Sequence, residues 1–446
     1  MSLHATLDER PLPAVASLPP LAELVGSDLV SPLVTGGAVR YVNLDLAASA
    51  PALRAVVDRV TEFLPYCSSV HRGSGYASMV STSAYETSRR VIAAFVGARP
   101  DDVVQVVRNT TDAFNLLAAV VPGEVVHLDL EHHANLLPWQ ARGARGVEAR
   151  ETLEETLSAL ELELLAAPAA LLAVTGASNV TGELLPVQRL AALAHRHGAR
   201  IAVDAAQWAP HRRIDVAGLG VDYLALSGHK LYAPYGAGVL VGRRDWLDAA
   251  APHLLGGGAV REVSLGGVTW AAAPARHEAG TPNVVGAVAL AAACEVIGSL
   301  PDGALERHEG LLRERLVAGL DAVAGVRRLE LWPGEAEAIG VVTFGVDGHS
   351  AEAVAHYLSA EWGIGVRDGR FCAHPLLQRL NGGRTAVRAS LGLGSSSEDV
   401  DRLVEALRHL VDHGPTAAYG SDHLPDPDPR PLPAWARWSG PPRACS

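Results

Sequence analysis

The stretch YLALSGHKLYAPYGAGVLVGR, residues 223–243, holds a single lysine, Lys230, between two apolar runs. Tyr223 to Leu226 leads in and Ala237 to Val241 leads out, with small residues, a histidine and turn formers between them. Short runs rich in Val, Leu and Ile fit strands buried on both faces. A lysine at the end of such a strand is costly unless it is paired, or unless covalent chemistry removes its charge.

Working outward, the same texture recurs. VVQVV (103–107), EVVHLDL (124–130), ALLAVTGAS (170–178) and ARIAVDAAQ (199–207) read as further buried strands. PVQRLAALAHRHG, between the last two, reads as a helix opened by Pro186 and closed by Gly198. Strand, helix, strand with short connections predicts parallel strands in a layered α/β domain. After about residue 300 the pattern changes. DGALERHEGLLRERLVAGLDAVAGV and SAEAVAHYLSAEWG read as helices, and IGVVTFGV (339–346) and TAVRASLGL (385–393) as strands. SSSEDVDRLVEALRHLVDHG reads as a helix opened by a capping box from Ser395 to Glu398. The expected organisation is an N-terminal arm (1–38), a large α/β domain (39–300), a smaller α+β domain (301–413) and a Pro-rich, extended or disordered tail (414–446).

The 446 residues are 48% hydrophobic, ample for a large core, and carry a formal net charge of −12. The chain has no basic run of five and no aromatic–basic interleaving, which argues against nucleic-acid binding. It has neither a signal-peptide pattern nor an apolar run of the roughly 18 residues that a membrane helix needs. Four cysteines, Cys67, Cys294, Cys372 and Cys445, without CxxC spacing argue against a disulfide framework or a zinc knuckle. A cytoplasmic protein without a metal site is the simplest expectation.

Ligands of a doubly wound sheet sit at the carboxyl ends of its strands, so polar residues just after the apolar runs carry the chemistry. Four sets stand there. HLDLEHHAN places Glu131, His132, His133 and Asn135 at one strand end, where an imidazole could stack on a planar ligand or simply be bonded in place. A metal is disfavoured, because adjacent histidines in a strand point to opposite faces. AVDAAQ places Asp204 and Gln207 at the next, and a carboxylate there needs a cation: an arginine, a metal or a protonated ring nitrogen. LSGHK brings Ser227, His229 and Lys230, with Lys230 either paired to Asp204 or condensed with an aldehyde. RNTTDAFNLLA offers Thr110, Thr111 and free helix N–H groups, suited to a phosphate or to ordinary capping. Together the four sets ask for a flat ring with a basic nitrogen, an aldehyde and a phosphate, which describes pyridoxal 5′-phosphate. Asp204 would hold the ring N–H⁺ and preserve the electron sink, His132 would stack on the ring, Gln207 would bond its phenolic oxygen, and Lys230 would be neutralised as a Schiff base.

With these motifs in hand, the chain resembles the fold-type I enzymes of the class V aminotransferase superfamily, and most of all the group II cysteine desulfurases and selenocysteine lyases. SVHRGSG, RNTTDAFNL, LEHHANLLPW, TGASNVTGELLP, VDAAQ, LSGHKLYAPYGAGVL, EAGTPN, GVRDGRFCAHP and VRASLGL occur in the family's order, over about residues 41–411, with Lys230 26 residues after Asp204. The resemblance implies a fold-type I architecture, with a mainly parallel sheet of the seven-stranded type and a smaller α+β domain. It implies that Lys230 carries the cofactor, that His132, Asp204 and Gln207 hold its ring, and that Thr110, Thr111, Ser227 and His229 hold its phosphate. Thr281 is implied to reach the partner's phosphate in a homodimer, and Arg72 to face the neighbouring site. Arg388 would grip the substrate carboxylate bidentately, assisted by Asn179, with Arg367 lining the entrance.

Cys372 stands where these desulfurases carry their persulfide-forming cysteine, with Arg370 and Phe371 in place of the family's histidine pair. Arg367 and Arg370 would favour its thiolate. The expected activity is L-cysteine to alanine with a persulfide on Cys372, passed on to a sulfur-acceptor protein. C–S lyase, aminotransferase and epimerase chemistry share the same cofactor motifs, and a cofactor-free binding scaffold is the remote alternative.

Overall fold

A computed structural model describes residues 17–436. Its centre is a seven-stranded sheet in the order Val103–Val107, Gly238–Gly242, Tyr223–Ser227, Arg200–Asp204, Leu171–Thr175, Val125–Leu128, Arg145–Val147. Gly238–Gly242 runs antiparallel to both neighbours, and the remaining strands share one direction. The mainly parallel seven-stranded expectation is therefore met. Side chains alternate between two cores. Leu172 and Val174 join one cluster while Leu171 and Ala173 join another, as the two-residue period of a strand requires. The edge strand Arg145–Val147 was not legible, since three residues, the middle one Gly146, give no period.

The opening stretch forms two of these strands and the turn between them. A Cβ on Gly228 would meet Ala237 O at 2.7 Å, and one on Gly238 would meet Asn109 Cα at 2.8 Å. The glycines allow the Lys230 turn and the start of the next strand to lie against the neighbouring strand end.

The second sheet is antiparallel, in the order Val326–Leu329, Val341–Val346, Ala386–Ser390, Arg367–Gly369. Helices Ala304–Asp321, Ala351–Trp362 and Ser397–His413 supply its core, together with Val42 and Leu44 from near the start of the chain. Val42–Asn43 pairs in parallel with Ile364–Gly365. The last helix does open with a capping box, but one residue later than its sequence suggests. Ser396 accepts from Asp399 N–H, and Asp399 accepts from Ser396 N–H. Ser395 is diverted, because its Oγ accepts from Gly392 N–H and closes the preceding turn.

The expected arm and tail are described in part, residues 1–16 and 437–446 lying outside the described residues. Val30–Pro32 and Ala38–Arg40 form a short hairpin. After Gly414 the Pro-rich chain does not leave the surface. Thr416 N–H, Ala417 N–H and the Tyr419 hydroxyl donate to the Glu361 carboxylate, and Arg430 donates to Ser359.

Candidate active site

The strand ends of the shared direction meet the second sheet at a cavity of about 220 Å³. Lys230, Asp204, Gln207, His132, Thr110, Thr111, Ser227, His229, Asn179, Arg367, Cys372 and Arg388 all line it. The twelve come from segments up to 278 residues apart (Thr110 to Arg388), so the fold brings together what the motifs only placed in order.

Lys230 is half-buried, and no carboxylate oxygen lies within 4.0 Å of its ammonium among the described residues. The ion pair with Asp204 is therefore not formed. Loss of solvation lowers the Lys230 pKa to about 8, a drop that Asp204 opposes and Arg388 reinforces. Asp204 is buried, with Oδ1 accepting from Ala206 N–H at 2.9 Å. Burial pushes its carboxyl up, against the pull of that N–H and of Lys230. A cation brought into the cavity beside Asp204 would pull the pKa of this carboxyl back down.

His132 caps the turn that follows Val125–Leu128, its Nδ1 accepting from Ala134 N–H at 3.0 Å. Burial and the neighbouring Lys230 hold its pKa down, to about 3. The ring is thus neutral, with its hydrogen on Nε2. Beneath it, Glu131 is fully buried and accepts from Asn135 Nδ2 at 2.6 Å and Thr175 N–H at 3.0 Å, tying the turn to the adjacent strand end.

At the other end of the cavity the helix Thr110–Val120 begins. Asn109 caps it, accepting from Asp112 N–H, and the Ser227 hydroxyl accepts from Thr110 N–H at 2.8 Å. Thr110 and Ser227 hydroxyls are also within 2.8 Å of each other. His229 stands beside them, its pKa lowered to about 4 by burial and Lys230. Hydroxyls gathered at a helix N-terminus suit an anion.

Arg388, on Ala386–Ser390, is buried, and loss of solvation lowers its pKa to about 10. Its Nη1 donates to Asn179 O at 2.9 Å and its Nη2 to Asp45 Oδ1 at 3.4 Å. Its Nε has no partner, and neither has Gln207 Oε1. Gln207 Nε2 donates to Ala47 O at 2.8 Å. Unpaired buried polar atoms around one cavity call for a polar ligand. The donor set fits the phosphate, ring and aldehyde that the motifs implied.

Several site residues were not read from sequence. Asp45 reaches Arg388 through the chain pairing at Val42–Asn43, which no local pattern announces. The Phe371 ring lies 5.1 Å from the Arg388 guanidinium. Asn179, read as a substrate group, spends its amide N–H on Phe371 O at 2.7 Å. Arg72 and Thr281 do not reach this cavity. Both are exposed and stand near one another: a Cβ on Gly258 would meet Arg72 Nη2 at 3.0 Å and Gly280 O at 3.6 Å.

The family model for aminotransferase class-V matches residues 42–403. A protein named cysteine desulfurase from Dickeya dadantii (strain 3937) is 40% identical over 391 residues, covering 84% of this chain and 93% of that protein. The apo structure of cysteine desulfurase from Thermococcus onnurineus NA1 superposes with a TM-score of 0.77 at 35% identity, covering 83% of this chain and 94% of that one. The structure of the Escherichia coli cysteine desulfurase CsdA, in an S-sulfonic acid form, gives 0.73 at 33% identity, covering 83% and 95%.

Proposed function

The chain belongs to the class-V aminotransferase family, and from that premise we propose that it is an L-cysteine desulfurase. The observation that carries the reading is the position of Cys372, an exposed thiol on the wall of the cavity that also holds Lys230 and Arg388. Enzymes of this family use pyridoxal 5′-phosphate, which when bound supplies an electron sink for a carbanion at the substrate Cα. Lys230 would anchor it, Asp204 would face its ring nitrogen, and His132 would cover the ring. Gln207 would face its phenolic oxygen, and Thr110, Thr111, Ser227 and His229 its phosphate.

The chain's own residues then divide the work. Arg388, with Nε free, binds the substrate carboxylate and orients the Cα–H. Lys230, with its pKa near 8, is partly a free amine at neutral pH and takes the Cα proton. Cys372 attacks the substrate sulfur as a thiolate. The S–S bond forms as the substrate C–S bond breaks. The substrate thiol's proton ends on the alanine methyl and Lys230 returns a proton to Cα, so L-cysteine becomes L-alanine and Cys372 keeps one extra sulfur. A sulfur-acceptor protein would take that sulfur from the exposed residue.

The active form in this reading is a homodimer, with Arg72 and Thr281 offered to the partner's cavity. Exposed Leu254, Leu255, Val263 and Leu265, on and beside the Val260–Trp270 hairpin, supply apolar surface next to them. The cytoplasm is the proposed location. No helix among the described residues is long and apolar enough to cross a membrane.

Incubation with L-cysteine, measuring alanine, pyruvate and sulfide together, tests the reading. Alanine with a trapped Cys372 persulfide supports it, whereas pyruvate would mark β-elimination. Cys372→Ala should abolish alanine formation and leave substrate binding intact. Parental turnover in that variant would overturn the assignment.

A further inference from the structure

Cys372 sits in a strained turn. Phe371 and Cys372 both take left-handed backbone angles, φ +53° and +51°, and neither is glycine. Such a pair persists only where its surroundings over-determine it. Four hydrogen bonds do so here. Ala373 N–H donates to Arg370 O at 3.0 Å, and Asn179 Nδ2 donates to Phe371 O at 2.7 Å. The other two come from His133. Its N–H donates to Cys372 O at 2.8 Å, and its Nε2 accepts from His374 N–H at 3.4 Å. The His374 ring meets the His133 ring edge-on, 4.6 Å between centroids.

The two bonds flank the cysteine. His374 is the first residue of the helix His374–Asn381, so its N–H has no partner within that helix. The His133 ring is its acceptor, which requires an unprotonated Nε2. Burial and His374 both lower the His133 pKa, keeping that lone pair available. His133 also adjoins His132, so the same turn covers the cavity and fixes the thiol.

We propose that His133 is a positioning residue for sulfur transfer: its N–H and its Nε2 hold the Cys372 turn against the cavity wall. The proposal rests on the desulfurase reading. It says how the thiol is kept within reach of a substrate held by Arg388.

Four variants of the holoenzyme test it. His133→Ala and His133→Phe remove the acceptor, and Phe retains the bulk in case Ala fails to fold. His133→Gln returns an oxygen near the Nε2 position. His374→Ala keeps the donor N–H and removes only the ring. Persulfide on Cys372, trapped by alkylation after brief exposure to L-cysteine, should form about 3- to 10-fold more slowly in the Ala and Phe variants, the worth of one hydrogen bond. It should recover to within about 2-fold in His133→Gln and stay near parental in His374→Ala. The absorbance change on adding L-cysteine should keep its rate throughout. Without substrate, amide hydrogen exchange at residues 372–374 should accelerate in Ala and Phe and not in Gln. Parental persulfide rates in His133→Phe, a Gln variant no better than Phe, or a His374→Ala loss equal to theirs would each overturn the proposal. A parent that forms no persulfide sinks the desulfurase reading and this role with it. A parent that forms it, with unresponsive His133 variants, sinks the positioning role alone.

Discussion

Replacing Arg388 by lysine tests the substrate-binding geometry most directly. The guanidinium is buried, held by Asn179 O on Nη1 and by Asp45 on Nη2, with Nε unpartnered. The edge formed by Nε and Nη2 is therefore the one presented to a carboxylate, and it can donate two parallel bonds. A lysine keeps the charge and one such bond. Losing one charge-assisted bond costs about 1.5–3 kcal/mol, so kcat/KM for L-cysteine should fall about 10- to 150-fold, chiefly through KM. Cysteamine, which lacks the carboxylate, supplies the second leg of a cycle. The parent should prefer L-cysteine over cysteamine by at least that factor, and Arg388→Met should lose most of the preference. The assay is sulfide release with both substrates under reducing conditions. An unchanged preference in Arg388→Met would refute the carboxylate contact, whatever the variant does to overall rate.

Three further outcomes are expected. Lys230 without cofactor has its pKa lowered to about 8 from the 10.5 of an exposed lysine. Between those values the unfolded chain holds the proton on Lys230 more tightly, so the Lys230 contribution to apo stability should rise with pH from about 8 to 10.5. The Tm advantage of Lys230→Met over the parent should shrink across that window, and a constant gap would count against the desolvated amine. Asp204→Asn should still be labelled on Lys230 by borohydride reduction of the bound cofactor. It should nevertheless lose several orders of magnitude in turnover, because one to two units of support for the ring cation already amount to about 1.4–2.7 kcal/mol. Near-parental turnover would remove Asp204 from its assigned role. Glu361→Ala strips the acceptor from Thr416, Ala417 and Tyr419. Limited chymotryptic cleavage after Tyr419 should quicken while alanine formation holds, and unchanged cleavage would show that this segment is fastened elsewhere.

The sheet was legible because its strands are buried on both faces and bounded by turn formers, as in Leu171–Thr175 and Tyr223–Ser227. The cavity-lining residues of the strand ends were legible for a related reason. They follow those strands immediately, so Asp204 and Lys230 inherit their placement from the strand ends. Residues that reach the site from elsewhere left no such trace. Asp45 meets Arg388 because residue 45 bridges to Ser390 across most of the chain, and nothing within NLDLAAS encodes that pairing. His133 differs from His132 by one position, and only the packed Cys372 turn separates their duties. The one-residue error at the capping box is of the same kind. Three consecutive serines are locally equivalent, and the Gly392 N–H decides which one remains to cap the helix.

The described cysteines separate by environment rather than by sequence. Cys294 lies within the helix Val284–Gly298, buried in an apolar core, and desolvation pushes its thiol far up, out of reach of any nucleophilic role near neutral pH. Cys67 is exposed but does not line the cavity of Lys230. Cys372 alone of these three combines exposure with a place on that wall, and its turn is bonded to the turn that carries His132. The proposed sulfur transfer needs both properties at once: the cavity side would receive sulfur from a substrate held by Arg388, and the exposed side would give it up. A buried thiol could do the first and not the second, and a surface thiol the reverse. The left-handed backbone at Phe371 and Cys372 is the kind of strain that the surrounding hydrogen bonds must hold, and in the proposed reading it keeps the thiol at the boundary between cavity and solvent.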